Sequence, residues 1–217
     1  MSDRLRLLIT GFGPFPGAPH NPTEPLVARL ARVRRPAFGD VEMASHIFPV
    51  TYASVDRELP ALLQKYRPQA LLMFGLAART AHVRIETRAR NAVTGLWPDA
   101  DRKPRHNGRI GRGPDALMFG PHTAKLLRAA LASGIDARPS RDAGAYLCNY
   151  LCWRAIEAVK NDRDLRLAAF VHIPHPATLS ASMHRGVSRI TLEELVDAGE
   201  AMMLEMVKLA RRKTVSH

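Results

Sequence analysis

The chain has 217 residues, of which 46% are hydrophobic, so it is long enough to bury a sizeable globular core. Its formal net charge of +12 would suit an acidic partner, but the arginines are spread along the chain without a zinc-finger, helix-turn-helix or RNA-binding pattern, and nucleic-acid binding is therefore not favoured. The sequence also lacks an apolar run long enough to span a membrane.

The first half of the chain alternates apolar strands with amphipathic helices. The pattern predicts strands over 5–10, 41–48 and 70–75, and helices over 22–33 and 52–66, with Asn21 as N-cap of the first helix. From His82 to Ala92 apolar and polar residues alternate with a period of two. This spacing predicts a strand or hairpin arm whose polar face carries Glu86.

The second half begins with the polar segment 94–113, which we expect to form an exposed loop. Helices are predicted over 120–133, 146–161 and 191–212, with strands near 135–138 and over 167–172. The whole pattern predicts an α/β protein of one domain over 1–217. Its fold would be a three-layer α/β/α arrangement, an open, mostly parallel twisted sheet with helices on both faces.

Sheets of this kind place their chemistry in the loops after the strands. After the first strand, the loop 11–19 contains Gly11-x-Gly13-x-x-x-Gly17, which has the wrong spacing for a dinucleotide-binding loop, and its prolines interrupt the backbone N–H array. The loop instead presents Phe12 and Phe15. They form either an apolar wall for a small ring or part of the core.

Cys148 and His172 are the candidate reactive groups. Cys148 follows a small-residue turn at the start of a predicted helix, where backbone N–H groups lower a thiol pKa, and His172 ends a predicted strand. Glu86 is a candidate to orient the imidazole, or else an ion-pair partner of Arg84 or Arg88. Cys152, one helical turn after Cys148, is expected to be a core residue.

No metal or other cofactor is expected. His172 and His175 do not form a metal pair, because Pro174 and Pro176 exclude the helix that would bring them onto one face. The first residues lead directly into the strand at Leu5 without the features of a signal peptide, so we expect a cytoplasmic protein that does not contact a membrane.

Several segments resemble the pyroglutamyl-peptidase I family, also called pyrrolidone-carboxylate peptidases, which are cysteine peptidases. The resemblance covers about residues 6–210, and its markers are Thr10–Phe15, Asn21-Pro22, Gly75–Ala77, Glu86, Asn91, Ala143–Tyr150 and Val171–Pro174.

This resemblance implies a thiol protease that releases an N-terminal pyroglutamyl (5-oxoproline) residue from peptides with a blocked N-terminus. It implies Glu86, Cys148 and His172 as the catalytic triad, and Phe12, Phe15 and Leu147 as substrate-binding residues. It also implies an α/β/α fold, no cofactor, and a homo-oligomer, either a tetramer or a dimer.

The sequence departs from the family pattern at Leu76, where a glutamine is expected, and at Leu96, where an arginine is expected. Arg79 and Arg90 are nearby candidates to replace that arginine. Two alternatives therefore stand beside the peptidase. One is a thiol amidohydrolase acting on another small cyclic or N-acyl amide, and the other is a basic, non-catalytic binding module.

Overall fold

A computed structural model describes residues 4–15, 18–96, 98–101, 108–177 and 190–212. Its main sheet has six strands in the order β2-β1-β3-β8-β4-β7. The strands of this sheet are β1 (Leu5–Phe12), β2 (Val41–Phe48), β3 (Ala70–Leu76), β4 (Val83–Glu86), β7 (Ala137–Ser140) and β8 (Leu167–Ile173). A second, two-stranded antiparallel sheet pairs β5 (Arg88–Arg90) with β6 (Ala116–Met118).

Helices cover both faces of the main sheet, because the strands bury alternate residues on opposite sides. Leu7 and Ile9 of β1 join the core on one face, and Leu8 joins the core on the other. The helices are α1 (Thr23–Leu30), α3 (His122–Ala132) and α5 (Leu192–Arg212) on the first face, and α2 (Tyr52–Tyr66) and α4 (Leu147–Asn161) on the second. The predicted three-layer α/β/α fold is confirmed.

The sheet is mostly parallel, with one reversal. Strands β2, β1, β3 and β8 run parallel, whereas β4 pairs antiparallel with β8, and β7 runs parallel to β4. The reversal places Arg84 of β4 directly opposite His172 of β8. Strand β4 thus lies beside the carboxyl end of β8, where His172 is located.

The period-two segment 82–92 forms two short strands that belong to different sheets. Strand β4 joins the main sheet and β5 pairs with β6, which the sequence pattern did not predict. Glu86 lies on the predicted polar face and yet is fully buried. The polar face is closed off from solvent at this position, because His172 of β8 and Cys152 of α4 lie close to Glu86.

The start of α1 differs from the sequence prediction by one residue. Pro22, not Asn21, occupies the N-cap position. The Asn21 side chain still accepts hydrogen bonds from the backbone N–H and the hydroxyl of Thr23, at 3.1 and 3.0 Å. Its amide also donates to the Gly13 carbonyl at 3.0 Å, so Asn21 holds the loop after β1 against the helix.

Two residues of the segment 94–113, which we predicted as an exposed loop, are buried. Asp99 accepts a hydrogen bond from the backbone N–H of Tyr52 at 3.3 Å, and Ile110 packs in the core on the α2/α4 side. An acidic side chain is favoured at a helix N-terminus, which explains why Asp99 is drawn inward. Residues 97 and 102–107 of the predicted loop lie outside the described residues.

Thr51 caps α2 beside Asp99, since its side-chain oxygen accepts a hydrogen bond from the Ser54 backbone N–H at 3.1 Å. We expect Thr51→Ala to lower the free energy of unfolding by about 1 kcal/mol, because one buried N–H loses its acceptor. Urea unfolding monitored by circular dichroism measures this change. Thr51→Ser, which keeps the hydroxyl, should lose much less. An equal loss in both variants would contradict the capping role.

Candidate active site

The candidate site lies at the carboxyl ends of β3 and β8, where Gly75 and His172 are neighbours in register. The Cys148 sulfur lies directly over Gly75. A Cβ atom added at Gly75 would stand 2.9 Å from Sγ of Cys148 and 2.6 Å from the ring of Phe170. Only a residue without a side chain therefore leaves room for the thiol beside the sheet.

Cys148 is the second residue of α4, and the turn before it has a backbone that favours glycine. Gly144 has φ = +84°, in the left-handed region. Tyr146 occupies the N-cap position without a capping side chain, so the first N–H groups of α4 have no acceptor from the cap. Backbone N–H groups at the start of a helix favour negative charge, and Cys148 lies in this first turn.

Asn149 fixes the first turn of α4 to strand β5. Its side chain accepts from the Arg90 backbone N–H at 2.8 Å and donates to the carbonyls of Arg90 and Ala92 at 2.8 and 3.0 Å. The residue is fully buried, so these bonds do not compete with water. The position of the neighbouring Cys148 is thereby set by a side chain that the sequence analysis did not single out.

His172 is held between an acid and the thiol. Its Nδ1 lies 2.8 Å from Oε1 of Glu86, and both side chains are almost wholly buried. With Nδ1 donating to the carboxylate, the second ring nitrogen is left for Cys148, which hydrogen-bonds to the ring. The three residues that were expected to act together are brought together by β4, β8 and α4.

The charges around His172 favour an imidazolium. Burial alone would lower its pKa, but the Cys148 thiolate and the Glu86 carboxylate outweigh burial and raise the pKa of His172 to about 9. His172 therefore carries a positive charge over the neutral pH range, beside the Cys148 sulfur. A thiolate is the form of cysteine that attacks carbonyl carbons.

Cys152 has the opposite environment although it lies on the same helix. It is fully buried, and burial, with smaller contributions from Glu86 and Cys148, raises the pKa of its thiol. The thiol is therefore expected to stay neutral and unreactive.

Tyr146 connects the turn before α4 to the segment after β5. Its hydroxyl donates to the Pro98 carbonyl at 3.0 Å, and its ring lies edge-on to Tyr52 with centroids 6.0 Å apart. Burial, with smaller electrostatic contributions from Tyr52, Asp99 and Cys148, raises the pKa of Tyr146 to about 12. The phenol therefore stays neutral, and its one proton is used in the hydrogen bond to Pro98.

The residues expected to bind substrate lie on the α2/α4 face together with Cys148. Phe12 is buried against Phe48, with ring centroids 6.1 Å apart, while Phe15 is half-buried at the edge of the same cluster. Leu147 is 1% exposed and belongs to the core. Phe15 is thus the most accessible of the three, whereas Phe12 and Leu147 are buried in the core cluster that Phe15 packs against.

The two residues that depart from the family pattern, Leu76 and Leu96, have different surroundings. Leu76 ends β3 beside Ile173, whereas the Leu96 side chain is 78% exposed. Of the two arginines considered as replacements, Arg79 is exposed, and Arg90 donates to the Gly144 carbonyl at 3.0 Å in the turn before α4. Arg90 therefore lies near Cys148 in the structure, although 58 residues separate the two in the sequence.

Within the described ranges, no group of three His, Cys, Asp or Glu side chains is placed to hold a metal ion. His175 is exposed, whereas His172 is buried against Glu86. The described helices also include none that is long and apolar enough to cross a membrane.

Comparison with known proteins identifies the family of the chain. The family model described as pyroglutamyl peptidase matches residues 5–208. The chain belongs to the pyroglutamyl peptidase family.

Relatives in this family are identical to the chain at about 30% of the aligned residues. The pyrrolidone-carboxylate peptidase of Oceanobacillus iheyensis is 31% identical over 169 residues, covering 78% of this chain and 83% of that protein. The one from Halalkalibacterium halodurans is 30% identical over 201 residues, covering 92% and 98%. The structure of the pyrrolidone carboxyl peptidase from Thermococcus litoralis superposes with a TM-score of 0.86 at 25% identity, covering 96% of each chain.

The contact between Gly75 and the thiol is testable. In Gly75→Ala the added methyl group would displace Sγ of Cys148 and the Phe170 ring, so alkylation of Cys148 by iodoacetamide should slow by about tenfold or more. Overpacking should also cost about 1–3 kcal/mol of stability. Gly111→Ala is the control, because its nearest atom is 3.8 Å away. Equal alkylation rates in both variants would contradict the close approach.

The imidazole of His172 is expected to titrate near pH 9 in an NMR pH series. Since this value lies above the ordinary 6.5, the charged pair stabilises the fold below pH 6.5, and the contribution disappears as the pH rises through about 9. Cys148→Ala removes the thiolate and should lower the midpoint, whereas Cys152→Ala should leave it nearly unchanged. A wild-type midpoint at or below 6.5 would refute the assignment.

Proposed function

We propose that this protein is a cysteine exopeptidase that removes an N-terminal pyroglutamyl residue from peptides through an acyl-enzyme on Cys148. The observation that carries the proposal is the contact of the buried pair Glu86–His172 with the partly exposed Cys148 in the first turn of α4. Family membership and the names of the relatives favour this activity over the amidohydrolase and the non-catalytic alternatives.

In the first half of the reaction, the thiolate of Cys148 attacks the pyroglutamyl carbonyl carbon. The carbonyl oxygen becomes an oxyanion, which the free N–H groups of the first turn of α4 would stabilise. The imidazolium of His172 then gives its proton to the leaving amine as the carbon–nitrogen bond breaks. A thioester and a peptide with a free N-terminus result.

In the second half, neutral His172 takes a proton from water, and the resulting hydroxide attacks the thioester. Cys148 leaves as a thiolate, pyroglutamate is released, and the proton stays on the imidazole, which restores the starting ion pair. Glu86 remains ionised throughout, holding the ring and stabilising its charged form.

The substrate would lie between the thiol and the apolar wall of Phe12 and Phe15, on the side of α4 where Cys148 is partly exposed. A lactam ring is small and flat, so a half-buried aromatic side chain such as Phe15 offers a suitable contact surface. The remaining peptide would extend towards solvent. This arrangement selects peptides whose first residue is small, cyclic and uncharged.

The decisive measurement is hydrolysis of a pyroglutamyl-coumarin amide under reducing conditions. Cys148→Ser and His172→Ala should each lower kcat/KM by about a thousandfold or more, and Glu86→Gln by about tenfold or more, because nucleophile, proton carrier and orienting acid act as a unit. Cys152→Ser is the matched control and should keep the activity within about threefold.

Full activity in Cys148→Ser would disprove the nucleophile assignment. A wild-type enzyme that cleaves prolyl or acetyl amides faster than the pyroglutamyl amide would disprove the substrate class while leaving the thiol chemistry intact.

A further inference from the structure

Arg84 lies behind the acid of the site, on the strand that runs against β8. Its guanidinium donates to the Ser140 hydroxyl through Nε and Nη2, at 3.2 and 2.7 Å, and through Nη2 to the Asp142 carbonyl. The same Nη2 lies 3.1 Å from Oε1 of Glu86. The side chain is 22% exposed, so water screens the charge only in part.

Glu86 thus shares one oxygen between two cations. Its Oε1 accepts from His172 and also contacts Arg84, while Oε2 has no hydrogen-bond partner among the described residues. A fully buried carboxylate needs compensating charge to remain ionised. Arg84 supplies a charge that is constant over the working pH range, whereas the charge of His172 changes during the reaction.

We propose that Arg84 is a positioning residue that keeps Glu86 ionised and sets the pH range in which Cys148 exists as a thiolate. The proposal rests on the thiol chemistry of the proposed function. Arg84 acts through Glu86 and His172, along the row Arg84–Glu86–His172–Cys148, in which charges of opposite sign alternate.

The other charged groups near this row are engaged or more distant. Glu86 faces His172 from β8 and Cys152 from α4. Arg84 acts electrostatically on His82, which also interacts with Arg138 and Asp136 of the β7 segment. The carboxylate of Asp142 binds Arg90 at 2.9 Å, so among the described residues Glu86 is the only carboxylate within ion-pair distance of Arg84.

The sign of the effect follows from the charge that is removed. Without Arg84, the thiolate of Cys148 and the carboxylate of Glu86 each lose an attractive positive charge, so both anions become less favourable. The imidazolium of His172 loses a repulsive neighbour, so the pKa of His172 rises. A plot of rate against pH has an acid limb, where the thiolate forms, and an alkaline limb, where the imidazolium loses its proton. Both limbs are therefore expected to move to higher pH.

The acid limb is measured by the rate of Cys148 alkylation with iodoacetamide from pH 4 to 9, with labelling assigned to each cysteine by mass spectrometry. In Arg84→Met the limb should move up by about half a pH unit or more, which lowers the rate on that limb about threefold or more. Arg84→Lys keeps the charge and should restore most of the shift.

Ser140→Ala is the matched control, since it removes the partner that Arg84 binds with two nitrogens and leaves every charge in place. It should not move the limb. If Arg84→Met does not fold, Arg84→Gln carries the same expectation, because it also removes the charge. Circular dichroism and thermal unfolding establish that each variant is folded.

Three results would overturn the proposal. These are an unshifted limb in Arg84→Met, a shift in Ser140→Ala as large as that in Arg84→Met, or an Arg84→Lys variant that behaves like Arg84→Met. The last two would assign Arg84 a structural role in holding the segment 140–142. Alkylation needs no peptide substrate, so failure of the pyroglutamyl assay alone would refute the proposed substrate and not the role of Arg84.

The alkaline limb offers a second readout on the same variants. Hydrolysis of the pyroglutamyl amide should fall above about pH 9 in the wild type, because the imidazolium that protonates the leaving amine is lost. In Arg84→Met this fall should begin at higher pH. A fall at the same or lower pH would contradict the electrostatic role.

Discussion

The structure depends on a carboxylate that has no contact with water. Glu86 is fully buried, and an ionised acid in such a place is stable only where cations and donors replace its hydration. His172 and Arg84 provide this replacement at 2.8 and 3.1 Å. The acid in turn holds the imidazole in the one orientation that presents its second nitrogen to the thiol. Catalytic geometry and fold stability are therefore parts of the same constraint.

The reversed strand is how the fold satisfies this constraint. Because β4 runs against β8, its polar face meets the carboxyl end of β8 from the side, and Arg84 and Glu86 both reach the surroundings of His172. The segment at and after the end of β7 is hydrogen-bonded to the residues that follow Glu86. Thr87, Arg88 and Arg90 hold carbonyl groups of Ser140, Arg141 and Gly144 in the turn that leads to Cys148. One strand region thus positions both the acid and the nucleophile.

Much of the fold was predictable, because apolar periodicity reports which side of an element is buried. Strand Val41–Phe48 and helix Tyr52–Tyr66 have the predicted bounds. The predictions are wrong where a polar residue is buried through distant partners. Glu86 and Asp99 look solvent-facing in sequence, yet each is buried by contacts with groups 86 and 47 residues away. The hydrophobic pattern of a short segment carries no information about contacts with residues so far away in the sequence.

The same reasoning explains why Cys148 and His172 could be selected as candidates from the sequence, whereas the residues that position them could not. Cysteine and histidine are rare and chemically specific, so their placement at a helix start and a strand end indicates reactivity. Arg84 and Asn149 are common residues, and their roles depend on which carbonyls and carboxylates the fold brings to them. The signal available in the sequence is the closeness of Arg84 and Arg88 to Glu86, which left an ion pair with either arginine open as the alternative to an orienting acid.

The two cysteines show how strongly position within one helix decides chemistry. They lie four residues apart on α4, but Cys148 sits among the free N–H groups of the first turn and against His172, whereas Cys152 lies one turn deeper in the apolar core. Burial raises the pKa of the deeper thiol and keeps it neutral. Moving the nucleophile one turn along the helix would remove both its stabilising N–H groups and its proton acceptor. The reactivity therefore belongs to the meeting of α4 with β3 and β8, and not to the cysteine alone.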